Sequence, residues 1–189
     1  MTQQLPPALL DYFESSPVAL SLGEEVGEAV GDHPLLLTNR RFRDLTGYAS
    51  HEIAGQNCRF LQGDSDNREA RTRIHAFLDD DAQTSVRTAI VNFRKDGTPF
   101  VNLLYMSKLR ALTGETRYIF ASQFDVSRTQ PERLADYDKA LGQTIARLAP
   151  VVAESGIAVE GTLITIANTA ATIAQAKMTL SDLNTSSYL

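Results

Sequence analysis

"SVRTAIVNFRKDGTPFVNLLYMSKLRALTGETRYIFASQFDVS", residues 85–127, decides the fold. Three runs within it, 85–94, 99–112 and 117–127, carry the β-branched and aromatic residues of strands. KDGTP (95–99) and LTGET (112–116) separate them, and such glycine-bearing stretches make hairpins. Successive strands are therefore antiparallel. Asn102 alternates with Leu104 and Met106, while Val101, Leu103 and Tyr105 lie opposite. A sheet apolar on both faces must be covered on both. Three carboxamides also sit on these strands: Asn92, Asn102 and Gln123, the last alternating with Ala121 and Ile119. If that face is interior, each amide costs about 1–3 kcal/mol unless paired. A flat ligand edged with donors and acceptors would pair all three; a solvent-facing arrangement would need none.

Upstream, residues 8–15 form a short helix with Leu9, Leu10 and Phe13 on one side, ended by Pro17. Strands follow at 18–22 and 35–39, around a Gly-rich acidic loop at 23–34. Short helical pieces then occupy 40–48, 50–55 and 55–63, with Asn39 and Ser50 as N-caps. A longer helix spans 66–81, with Ala70, Ile74, Phe77 and Leu78 at helical spacing. The order of two strands, several helices and three strands predicts an α+β domain on a five-stranded antiparallel sheet.

The tail after Pro131 differs. Leu134, Tyr137, Leu141, Ile145, Leu148 and Val152 step by three or four, the seam of a helix that packs on another helix. Pro150 and Gly156 suggest a kink or break. The uncharged run 161–176 reads as a second helix, burying Leu163, Ile166, Ala170 and Ile173. The organisation expected is an N-terminal helical cap at 1–16, a domain at 17–128, and a helical extension at 129–189. That extension reads equally as an intramolecular hairpin or a coiled-coil dimerisation element.

The formal net charge is −5 and no long basic run occurs, so neither nucleic acid nor an anionic membrane is the expected partner. The single cysteine excludes an internal disulfide and a cysteine-cluster zinc site; no metal is expected. No run reaches the roughly 20 apolar residues of a membrane span, and residues 1–16 lack a signal peptide's basic end and apolar run. A cytoplasmic protein is expected.

Cys58, the one cysteine, lies in GQNCRFLQG (55–63). A catalytic thiol needs a base or an electropositive neighbourhood. His33, His51 and His75 form no recognisable cysteine–histidine signature, and Arg59 alone is a weak activator. By composition Cys58 reads as a buried, inert residue. The segment as a whole, however, resembles the signature of the light-oxygen-voltage (LOV) photosensor family, a flavin-binding branch of the PAS fold. Asn57, Cys58, Arg59, Phe60, Leu61 and Gln62 all match. NFRKDGTPFVNLL (92–104), SQFDVS (122–127) and RFRDLTGY (41–48) resemble further family blocks, so the likeness covers 17–128.

The resemblance implies a pocket for FMN, ahead of FAD or riboflavin. Asn92, Asn102 and Gln123 would pair with the flavin's pyrimidine edge. Asn57 and Gln62 would touch the ribityl chain or ring, and Arg59 the phosphate. Phe42, Ile74, Leu104, Met106 and Phe120 or its neighbours would pack on the ring. Where many family members carry a second phosphate-binding arginine, this chain has His75. Arg71, one turn earlier on the same helix face, can substitute, and Arg73 less well.

Under light, Cys58 would form a reversible bond to the flavin, and Gln123 would answer by rotating its amide. Light would then bias the packing of the tail helix. No histidine follows His75, so the tail carries no phosphoacceptor histidine, and no acid–base machinery for an enzyme is visible. The chain resembles bacterial short LOV proteins without a fused effector. A homodimer through the outer sheet face and terminal helices, or a separate downstream signalling protein, would carry the output. Two other readings remain: a flavin-based redox sensor, to which Cys58 is superfluous, and a non-photochemical PAS dimerisation module, which the amides disfavour.

Overall fold

The structure, a computed structural model, describes residues 5–25, 33–128, 130–160 and 169–186. Helix α1 (Pro7–Ser15) leads into strands β1 (Ala19–Glu24) and β2 (Leu35–Thr38). Helices α2 (Arg40–Thr46) and α3 (Ser50–Ile53), a 3-10 turn (Cys58–Leu61) and helix α4 (Arg68–Asp79) follow. Then come β3 (Ser85–Phe93), β4 (Pro99–Ala111), β5 (Thr116–Asp125), α5 (Pro131–Ala153), β6 (Ile157–Val159) and α6 (Thr169–Ser186).

The sheet is antiparallel, in the order β2-β1-β5-β4-β3. That is the expected five-stranded α+β sheet. A sixth strand is added: β6 pairs with the end of β4 through Leu109–Val159 and Ala111–Ile157. It begins just after Gly156, whose φ of +69° suits the turn that ends α5.

Asn39 holds the N-terminal elements together. Its Oδ1 accepts from Leu20 N at 2.9 Å and Phe42 N at 3.0 Å, and its Nδ2 donates to Phe13 O and Val18 O. One side chain thus caps α2 and ties it to α1 and β1. The second expected cap is corrected: Ala49, not Ser50, precedes α3, and its N–H donates to the Glu52 carboxylate at 2.8 Å. Asn67 docks the start of α4 on β3, its amide exchanging two bonds with the Val91 backbone at 2.8 and 2.9 Å.

The two sheet faces have different covers. On the outer face, Leu20, Leu22, Ala89, Val91, Val101, Leu103, Tyr105 and Phe120 join one large core with Leu9 and Phe13 of α1 and Tyr137, Leu141, Leu148 and Val152 of α5. Ala176 of α6 belongs to it, with Ile173 at its margin. The expected α5 seam exists, but it packs on the sheet as well as on α1 rather than on a helix alone. Leu10, expected on the buried side of α1, is 41% exposed. The α5 helix continues through Pro150, and its break falls three residues later. The second tail helix starts at Thr169 and extends past Ala176; Leu163, Ile166 and the Ala170 side chain lie outside the described residues, as do residues 26–32 of the expected loop. The outer face proposed for a dimer is thus already covered by the chain's own helices. No described helix is long and apolar enough to cross a membrane.

Candidate functional site

The inner face of the sheet, with the 3-10 turn and α4, encloses a cavity of about 490 Å³, within the size range of small-ligand pockets. Strand registers decide what faces it. Leu104 stands opposite Gln123, Met106 opposite Ala121, and Ser21 of β1 opposite Ala121 on its other side. Leu104, Met106, Ile119, Ala121 and Ser21 line the cavity.

Across from the sheet, the 3-10 turn contributes Asn57, Cys58, Arg59 and Gln62. Asn57 caps this turn, its Oδ1 accepting from Arg59 N at 3.0 Å. Gly63 ends the segment at a φ of +52°; a Cβ there would lie 2.8 Å from the Phe93 ring. Only glycine fits that approach. Helix α4 presents Arg71, Ile74, His75 and Leu78 at three- and four-residue spacing to the same cavity. Arg59, Arg71 and His75 are solvent-exposed, whereas Cys58, Gln62, Ile74, Leu104 and Met106 are half-buried. Charge therefore sits at the rim and neutral groups inside.

The three carboxamides are buried on the inner face. Asn102 is 2%, Gln123 3% and Asn92 4% exposed. Asn102 Nδ2 donates to Asn92 Oδ1 at 2.9 Å, and Asn102 Oδ1 accepts from Phe124 N. Among the described residues Asn92 Nδ2 bonds only the neighbouring Val91 O, at 3.1 Å. Gln123 Nε2 donates to Ser21 Oγ at 3.0 Å. Gln123 Oε1 is a buried acceptor with no partner among the described residues, an arrangement that normally marks a missing ligand or water.

Cys58 borders the cavity, and burial pushes its thiol up to about 12, only partly offset by the nearby Ser21 hydroxyl. The group is a neutral thiol at physiological pH, not a poised thiolate.

Five sequence-derived positions are not among the residues that line the cavity: Asn92, Asn102 and Gln123, which share its face of the sheet, and two aromatics. Phe120 points to the outer face, where its ring meets Phe13 edge-on at 6.0 Å; its neighbours Ile119 and Ala121 line the pocket instead. Phe42 is fully buried behind the wall, packed with Ala19, Leu35, Ile53 and Leu61, with Cys58 at the cluster's edge. Sequence reading missed Ser21, Gly23, His33 and Leu35, which also line the cavity. The alternation of β1 could have flagged Ser21; nothing in the sequence flags His33.

Residues 28–128 match the PAS domain family. A blue-light-activated histidine kinase of Brucella anthropi is 41% identical over 96 residues, covering 51% of this chain and 19% of that protein. Phototropin-1B of Oryza sativa subsp. japonica is 34% identical over 130 residues, covering 67% of this chain and 14% of that protein. The chain thus spans under a fifth of either relative's length. The crystal structure of the Rhodobacter sphaeroides LOV protein superposes over 94% of this chain and 95% of that one, with 25% identity and a TM-score of 0.66. The chain belongs to the PAS domain family and, by its blue-light relatives and this end-to-end structural likeness, to the LOV photoreceptor branch.

Proposed function

We propose that the protein is a blue-light sensor that binds FMN in the cavity between the sheet and α4 and bonds it reversibly through Cys58. The observation that carries this reading is the buried, unpartnered Gln123 Oε1 on the same inner face as the cavity. A planar ligand with polar edges gives that atom a partner, and gives a second one to the Asn92 and Asn102 amides. The remaining fit is consistent. The cavity is about 490 Å³, its lining is largely apolar with a few polar side chains such as Ser21, Asn57 and Gln62, and arginines stand at its rim.

A bound flavin supplies blue-light absorption and an excited state reactive toward a thiol. The protein's own residues do the rest. Ile74, Leu104 and Met106 pack on the ring from α4 and β4 and exclude water. Asn57 and Gln62 fix the chain beyond the ring. Arg59 and Arg71 hold the phosphate, with His75 between α4 and solvent. Cys58 presents a protonated sulfur, which keeps it inert in the dark. Gln123 exchanges donor for acceptor by rotating its amide when the group facing it changes protonation.

Residues around Gln123 support a route outward. Ser122 and Phe124 flank it in β5 and face the other way, against Tyr137 of α5. A change at Gln123 shifts the strand that α5 rests on, and biases the packing of α5 and α6. The outer sheet face being filled, a second copy or a separate partner would meet the outward side of these helices.

The test is the visible spectrum of the purified protein. A bound flavin absorption, lost when Asn92, Asn102 and Gln123 are together replaced by leucine, supports the reading. A colourless protein that takes up no added FMN would overturn it.

A further inference from the structure

The geometry points to Ser21 as a hydroxyl relay that ties the orientation of the Gln123 amide to the hydrogen bonding of the Cys58 sulfur, an inference resting on the photosensor reading above. Ser21 stands opposite Ala121 in the β1–β5 register, and Gln123 opposite Ala19. The two are diagonal neighbours on the inner face, within reach of one another's side chains. Gln123 Nε2 donates to Ser21 Oγ at 3.0 Å. Ser21 and Cys58 line the same cavity, where the Ser21 hydroxyl is near enough to the thiol to lower its pKa against the larger effect of burial. Ser21 is 1% and Gln123 3% exposed, so bulk water does not compete for these contacts.

A serine hydroxyl has one proton and two acceptor lone pairs. In this structure one lone pair takes the Gln123 amide proton, leaving the hydroxyl's own proton for the Cys58 sulfur. Gln123 Oε1 then stays without a protein partner. With the amide turned over, Oε1 would take the Ser21 proton, and that proton would leave the sulfur. Each amide orientation therefore carries its own state of the Ser21–Cys58 bond. A ligand presenting a proton donor to Gln123 favours the present orientation; a ligand presenting an acceptor favours the reverse. The one hydroxyl satisfies both, so neither orientation strands a buried amide nitrogen or oxygen on the Ser21 side. Among the described residues no other side chain both hydrogen-bonds Gln123 and lowers the Cys58 pKa.

The test is the alkylation rate of Cys58 by iodoacetamide in the dark, at one fixed alkaline pH, on the full chain stripped of bound flavin, the state in which Gln123 Nε2 donates to Ser21. Ser21→Ala should slow it about tenfold, the effect of one lost hydrogen bond to the reacting thiolate. Ser21→Thr, which keeps the hydroxyl, should restore it. Gln123→Leu should shift the rate when Ser21 is present and leave it unchanged in the Ser21→Ala background. Equal rates for wild type and Ser21→Ala, or a Gln123→Leu effect of the same size in both backgrounds, would overturn the relay. Because this readout uses no light, its failure is separate from failure of the photosensor reading, which the bleaching of the wild-type protein decides.

Discussion

Tyr137 Oη lies 2.8 Å from Ser122 Oγ, joining α5 to the strand that carries Gln123. The Tyr137 ring also stacks on Phe124 at 4.3 Å and 7°. Ser122 and Phe124 are the two sequence neighbours of Gln123, so one α5 residue reads both sides of it. Burial raises the Tyr137 phenol's pKa, and it stays neutral. Tyr137→Phe keeps the stacking and loses the hydrogen bond, at about 1 kcal/mol. Tyr137→Ala opens a cavity as well and costs about 3 kcal/mol or more. Urea denaturation checks both values. Hydrogen exchange checks the mechanism: light should alter α5 protection in wild type, and less in Tyr137→Phe.

A second anchor lies one residue along. Asp138 pairs with Arg87, which is 3% exposed on β3. Removing the carboxylate leaves a buried guanidinium without its counter-charge. Asp138 itself is 40% exposed, so Asp138→Ala should cost about 2 kcal/mol, below the value for a fully buried pair. Replacing both residues by apolar ones of similar size should recover part of that loss in the same denaturation experiment.

The state of Cys58 gives a pH prediction. Its folded value, about 12, lies above the roughly 8.5 of an unfolded cysteine. The folded chain therefore binds more protons than the unfolded one between those values, and its stability falls as pH rises through this window. Below about 8.5 the contribution is fully present. Cys58→Ala should show a shallower alkaline decline of stability than wild type in denaturation series at successive pH values.

Gly63 should tolerate no side chain. Gly63→Ala places a methyl against Phe93 at a positive φ, at a cost of about 1–3 kcal/mol. Because Gly63 lines the cavity beside Gln62, the variant should also bind FMN more weakly, which equilibrium titration reads.

Much of this architecture follows from local pattern. The period-2 rows of β3, β4 and β5, the hairpin glycines and the Asn39 cap all express short-range rules that a sequence displays. The same alternation places Ile119, Ala121 and Gln123 together and sends Phe120 away, so the side of the sheet that Phe120 takes was legible too. Other features rest on contacts between distant segments. Ser21 and Gln123 are separated by 102 positions, and a serine between leucines carries no local mark of its partner. Asn67 reads as an ordinary helix-start residue, yet its amide stands in for backbone on Val91. Strand β6 has three residues, too few for any periodicity, and exists because β4 outlasts its neighbour β3 and offers a free edge.

Cys58 is expected to bond a flavin under light and to release it in the dark. The most direct measurement is the visible absorption of the purified protein before, during and after blue illumination, compared with Cys58→Ala. The wild-type flavin absorption should bleach and return in the dark, while the variant should bind flavin and not bleach in this reversible way. Bound flavin in the wild type that bleaches only with a chemical reductant, or the same reversible bleaching in Cys58→Ala, would contradict this expectation.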